Sequence, residues 1–124
     1  MGKIERFEDL IAWQKARALT RRIYQVTSAA SFAKDRALAV QMQRAAVSIM
    51  ANIAEGFERG GRGEFHQMLS VSKASCAEVR SGLYVALDNC YLEMSDANAL
   101  LKHAEEVARI VGGLRAAVGK QRRD

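Results

Sequence analysis

Not one proline interrupts the 124 residues of this chain, and that absence removes the strongest breaker of long helices. What remains are long stretches in which apolar or small residues return every three or four positions. One such series runs from Phe65 through Met68 or Leu69, Ser72, Cys76, Val79, Leu83 and Leu87 to Cys90. A period of 3.6 residues keeps these positions on one helix face. Aromatic residues are only 6% of the chain and alanine is abundant, which favours helices over sheets. At this length one domain is expected, burying roughly two-thirds of its unfolded surface without help from metal or disulfide.

The periodicity predicts four helices, at about 8–27, 35–58, 64–90 and 95–119. In the first, Ala12, Ala16, Leu19, Ile23 and Val26 face the core, edged by Trp13, Thr20 and Tyr24. Ser28 to Ser31 reads as a loose connection, and Gly60, Gly61 and Gly63 break the second helix from the third. Ser95 is the expected N-cap of the fourth, with Asp96 suiting its dipole. That helix turns Leu100 or Leu101, Ala104, Val107, Val111, Leu114 and Val118 inward. Helices of this length with short connections give an all-α, antiparallel up-and-down four-helix bundle, a single domain over 1–124.

The second helix has an unusual surface. At about 100° per residue, Gln41, Arg44, Ser48, Asn52, Glu55 and Arg59 form one polar stripe roughly 80° wide. Leu38, Met42, Ala45, Ile49 and Ile53 flank it as a core stripe, and Val40, Val47, Ala51 and Ala54 flank its other side. Apolar residues on both sides predict a helix buried over most of its circumference. Val40, Val47, Ala51 and Ala54 are the expected contact between copies of the chain. Arg44, Asn52, Glu55 and Glu78 are the expected members of a structural polar network, since buried polar groups require partners.

No catalytic arrangement emerges from the spacing. His66 and His103 have no His or Cys partner at the separations used for metal binding, so no metal or cofactor is implied. No Ser or Cys can be paired with a base and an orienting group. The Gly60–Gly63 segment lacks the Gly-Lys-Ser/Thr of a phosphate loop and follows no strand. Cys76 and Cys90 are roughly 21 Å apart along one helix, too far for a bridge, and read as buried small residues of a reducing, cytoplasmic setting. The N-terminal residues lack the apolar core of a signal peptide, and no run is long enough for a membrane span.

Charge supplies the remaining functional clue. Nineteen Lys and Arg against fourteen Asp and Glu leave a net +5, with a pI near 9.6. Arg17, Arg21 and Arg22 lie on the outward arc of the first helix, Arg59 and Arg62 bracket the glycine turn, and Lys120, Arg122 and Arg123 form a basic tail. Without a base-stacking platform, these side chains suit sequence-tolerant contact with the backbone of RNA or DNA. The alternative is a protein-interaction or assembly module whose arginines serve solubility.

Several stretches together resemble the 23S rRNA intervening-sequence proteins, also called four helix bundle proteins. They are Phe7 to Ala16, Gln43 to Ile49, and Asn52 to Gly56. In the third helix they are Glu64-Phe65, Leu69, Ala74-Ser75, Glu78-Val79 and Ser81 to Leu83. The likeness spans about Phe7 to Leu87. It departs from the family pattern at Ala33, where Phe-Pro is common, at Arg80, where a second Glu is common, and at Gly82, where longer side chains are usual. The resemblance implies a cytosolic bundle. More distantly, the chain is similar to accessory proteins of diversity-generating retroelements. That likeness implies a homo-oligomer, a pentamer by preference, with nucleic acid and a further protein as partners.

Overall fold

The computed structural model describes residues 3–120 in full and the backbone of 121–123. A 3-10 turn at Phe7–Asp9 is followed by α1 (Ile11–Thr27), α2 (Ala30–Ala33), α3 (Arg36–Glu58), α4 (Arg62–Asp88) and α5 (Met94–Arg123). No strand occurs among the described residues. The four expected helices are α1, α3, α4 and α5. The short α2 occupies the segment that reads as a loose connection, because four residues are too few to show a period.

α1 packs against α3 and α5, and α4 packs against the same two helices, so the four close a bundle in which α1 and α4 are diagonal. Leu19, Ile23, Met42, Ile49, Ile53, Leu69, Val79, Leu83, Leu100, Val107 and Val111 fill its centre and are buried. Each such side chain stabilises the fold by about 1.5–3 kcal/mol on transfer from water. Small residues set the helix separations. At Gly82 an added Cβ would stand 2.8 Å from Cγ of Met42, so a longer residue fits only by displacing a core side chain. Two buried hydroxyls stitch helices to one another. Thr20 Oγ1 donates to the carbonyls of Ala16 at 2.8 Å and Ala46 at 3.1 Å, and Ser72 Oγ donates to the carbonyl of Ile49 at 2.8 Å.

At one pole the α1–α3 connection is clamped to the α4–α5 connection. Phe32, fully buried, meets the Tyr91 ring at 5.3 Å between centroids. Tyr91 Oη donates to Oδ2 of Asp35 at 3.0 Å, while Oδ1 of the same carboxylate caps α3 by accepting from the Leu38 N–H at 3.1 Å. At the other pole Gly60 turns the chain with φ of +81°.

Two expectations are corrected. Cys90 is exposed, whereas Cys76 is buried. Cys90 lies beyond the end of α4 with φ of +62°, its N–H bound to the Leu87 carbonyl and that of Tyr91 to the Ala86 carbonyl. This is a Schellman cap, and its left-handed turn carries the side chain out of the core face. Ser95 lies inside α5, which begins at Met94. The polar stripe of α3 also behaves differently from a buried one within a single chain: Gln41, Arg44, Glu55 and Arg59 are exposed, because α3 leans on α1 and α4 through one half of its circumference.

Candidate nucleic-acid interface

The α1 arginines point in different directions. A step of five residues turns a helix by about 140°, and this separates Arg17 from Arg22. The Arg17 guanidinium stands 5.6 Å from the Trp13 ring centroid, on the ring that also meets Phe7 edge-on at 5.2 Å. Arg21 is exposed between them. Arg22 turns toward α5, where its Nη1 donates to Nδ1 of His103 at 2.8 Å. A guanidinium has only donors, so Nδ1 must be the unprotonated nitrogen of a neutral imidazole. Burial of the ring, then the Arg22 cation beside it, lowers the His103 pKa below its usual value.

His103 belongs to an open groove of about 570 Å³ between α1 and α5, lined also by Lys15, Arg22, Lys102, Glu105, Glu106 and Arg109. A second groove of about 520 Å³, between α5 and α4, holds Lys73, Arg80, Glu105, Ala108, Arg109 and Gly112. The carboxylates bind loosely here. Lys15 Nζ stands 3.6 Å from Glu106 and Arg80 Nη2 stands 3.9 Å from Glu105. Arg80 Nε is buried without a hydrogen-bond acceptor.

Cations at the glycine turn are more firmly committed. Arg59 reaches Glu55 at 2.7 Å and Glu64 at 3.3 Å, bracing the corner across Gly60. Arg62 is exposed in the first turn of α4. Lys120 is exposed near the end of α5, and the side chains of Arg122 and Arg123 lie outside the described residues. Of the eight cations named from sequence, the six with described side chains are not gathered in one patch: Arg59, Arg62 and Lys120 belong to the glycine-turn pole and Arg17, Arg21 and Arg22 lie along α1.

The four expected network residues are likewise separated within one chain. Asn52 Nδ2 donates to the Ser48 carbonyl at 2.8 Å and to Ser48 Oγ at 3.0 Å. Ser48 Oγ is 2.9 Å from Ser75 Oγ across the α3–α4 contact. Glu55 pairs with Arg59. Arg44 and Glu78 face a shared groove of about 400 Å³ outside α3 and α4 and lie too far apart for an ion pair. Sequence reasoning placed Ser48 in the polar stripe but missed its partner Ser75 and the grouping of Lys15, Lys73, Arg80 and His103. That grouping carried no signal, since it depends on how three helices are rotated.

Around Arg44 and Glu78 the outer surface of α3 and α4 exposes apolar side chains beside the polar stripe of α3. Val47 is 40% exposed, Val71 46%, Val85 43% and Tyr84 52%. Ala51, Ala74 and Ala77 are exposed among them, while Val40 and Ala54 are half-buried at its margin. Among the described residues, no group of three or more His, Cys, Asp or Glu is placed to hold a metal ion. No described helix is long and apolar enough to cross a membrane.

A bundle with one cation-rich side and one side of exposed valines beside a polar stripe defines a class of helical protein whose exposed surfaces, rather than an enclosed cleft, are its distinctive features. The chain belongs to the 23S rRNA-intervening sequence protein family, whose family model matches residues 8–113. In fold it is similar to the crystal structure of a protein of unknown function from the S23 ribosomal protein family of Bacteroides thetaiotaomicron. The TM-score is 0.78 at 18% identity, over 85% of this chain and 98% of that one. No curated protein matches the chain. The likeness to retroelement accessory proteins rests on the sequence reading alone.

Proposed function

We propose that the protein is a non-enzymatic, self-associating bundle of the cytoplasm that holds RNA or DNA by the phosphate backbone. One observation carries this reading: the bundle divides its surface. The outer face of α3 and α4 exposes Val47, Val71 and Val85 beside Arg44, Glu78 and the polar stripe of α3. The opposite side, built on α1 and α5, concentrates cations. Association through the first face removes Val47, Val71 and Val85 from water and leaves the second exposed. Arg44 on α3 and Glu78 on α4 have opposite charge, which suits head-to-tail contacts, and head-to-tail contacts form rings where the rotation between subunits closes. Five subunits is the number that the retroelement resemblance implies. Burial pushes the Cys76 thiol up to about 11, away from the ionised form that a cysteine nucleophile requires.

Light scattering coupled to size exclusion tests the assembly. The unaltered chain at micromolar concentration is expected at a multiple of 13.7 kDa. Val47→Glu, which buries an unpaired charge, is expected to shift it toward one subunit. A monomeric mass for the unaltered chain overturns the assembly. Binding to mixed-sequence RNA or DNA should fall steeply as salt rises. An assembly that binds neither returns the protein-interaction module in its place.

A further inference from the structure

Three neighbouring helices carry the same device. α1 has Lys15 and Arg22, α5 has Lys102 and Arg109, and α4 has Lys73 and Arg80. Each pair is seven residues apart, close to two full turns and about 10.5 Å, so both members share a face. Contacts along α5 place these cations: Lys15 lies near Glu106 and Arg80 near Glu105, Arg22 bonds to His103, and Lys73 lies near Gly112. The result is six cations lining two grooves, with α5 as the ridge between them and with Glu105 and Glu106 as the carboxylates among the lining residues.

We propose that this two-groove surface is the phosphodiester site, with the grooves beside α5, and not the Arg17–Arg21 arc of α1, taking the nucleic-acid backbone. The proposal rests on the nucleic-acid reading above and locates it. Arg17 is held over Trp13 and Arg59 by two carboxylates. Lys15 and Arg80 have looser partners: exposed ion pairs at 3.6 and 3.9 Å contribute little and are readily exchanged, while Arg22 bonds to His103, a partner without charge. Arg80, whose Nε is buried without an acceptor among the described residues, lines one groove with a guanidinium that is part exposed. Phosphate oxygens are the acceptors that suit such donors. The residues lining the two grooves include no Phe, Tyr or Trp, so contact there reads charge and not base identity.

The test uses the full chain and fluorescence anisotropy with labelled mixed-sequence single-stranded RNA and duplex DNA, titrated at several salt concentrations. Arg22→Gln with Arg109→Gln is expected to weaken binding on the order of tenfold or more at low salt and to flatten the salt slope by about 2 on duplex DNA. Arg17→Gln with Arg21→Gln is expected to leave both nearly unchanged. Glu105→Gln with Glu106→Gln is expected to strengthen binding, an effect that loss of folding cannot imitate. If the groove variant binds like the unaltered chain, or the Glu variant gains nothing, the proposed location fails while the nucleic-acid reading stands. If the unaltered chain binds no probe at low salt, the reading fails and this site with it.

Discussion

The imidazole of His103 accepts from Arg22 through Nδ1 and is held neutral by burial and by that cation. Lys15 and Arg22 face it from α1, and Lys102, Glu106 and Arg109 share its groove on α5. The sign of its linkage to folding follows. In the unfolded chain the ring takes a proton near pH 6.5, whereas the folded chain resists that proton. The stabilising difference is complete above about pH 6.5 and is lost as pH falls toward and through the lowered folded value. We expect the Tm to decline between about pH 7.5 and 5.5, and expect His103→Gln to decline less over the same interval. Equal declines in thermal melts of the two proteins would place the titrating group elsewhere. The sequence shows His103 as a lone histidine without metal partners. Its contact with Arg22 lies 81 positions away and depends on the mutual rotation of α1 and α5, which periodicity does not specify.

The ends of the long helices follow local rules unequally. The α3–α4 break is written in Gly60, whose φ of +81° suits a residue without Cβ. The α4–α5 break uses the same left-handed turn at Cys90, where φ is +62°, but with a side chain that strains it. A cysteine at helical core spacing reads as buried, and only the Schellman hydrogen bonds place it outside. The two positions make predictions of opposite sign. Gly60→Ala should cost about 1 kcal/mol, and Cys90→Gly should gain up to about 1 kcal/mol. Denaturant midpoints measure both, and a loss on Cys90→Gly would show that its backbone strain is not the dominant effect. The α2 segment escaped the sequence for another reason. Its single core residue, Phe32, is anchored by Tyr91 from the far connection, and one anchor creates no period.

At the level of the whole molecule, the bundle and its core were legible, since steps of three and four residues fix which face of each helix is buried. The division of the surface was only half legible. Val40, Val47, Ala51 and Ala54 drew notice on α3 alone, whereas Val71, Ala74 and Val85 extend the face onto α4. The paired cations on α1, α4 and α5 were invisible because each helix contributes only two. If the apolar face joins copies, Arg44 and Glu78 meet across the contact. Arg44→Glu or Glu78→Arg alone should then weaken association, and the two together should restore it, as sedimentation velocity would resolve. Failure of the double exchange to recover the assembly would separate these charges from the interface.

The order in which the helices pack has a bearing on how the chain reaches its fold. α1 meets α3 across the short α2, α3 meets α4, and α4 meets α5, so most contacts join segments that follow one another. Only the seam between α1 and α5 joins the two ends of the domain, and it is also more sparingly packed than the contacts of α4. Chains dominated by local contacts fold quickly, because little loop entropy is lost before contacts form. The α1–α5 seam requires the largest loop to close, which makes it the natural last step of assembly and the first place to open. The Arg22–His103 link fastens that seam, and the groove beside it would be the part of the surface most sensitive to partial unfolding.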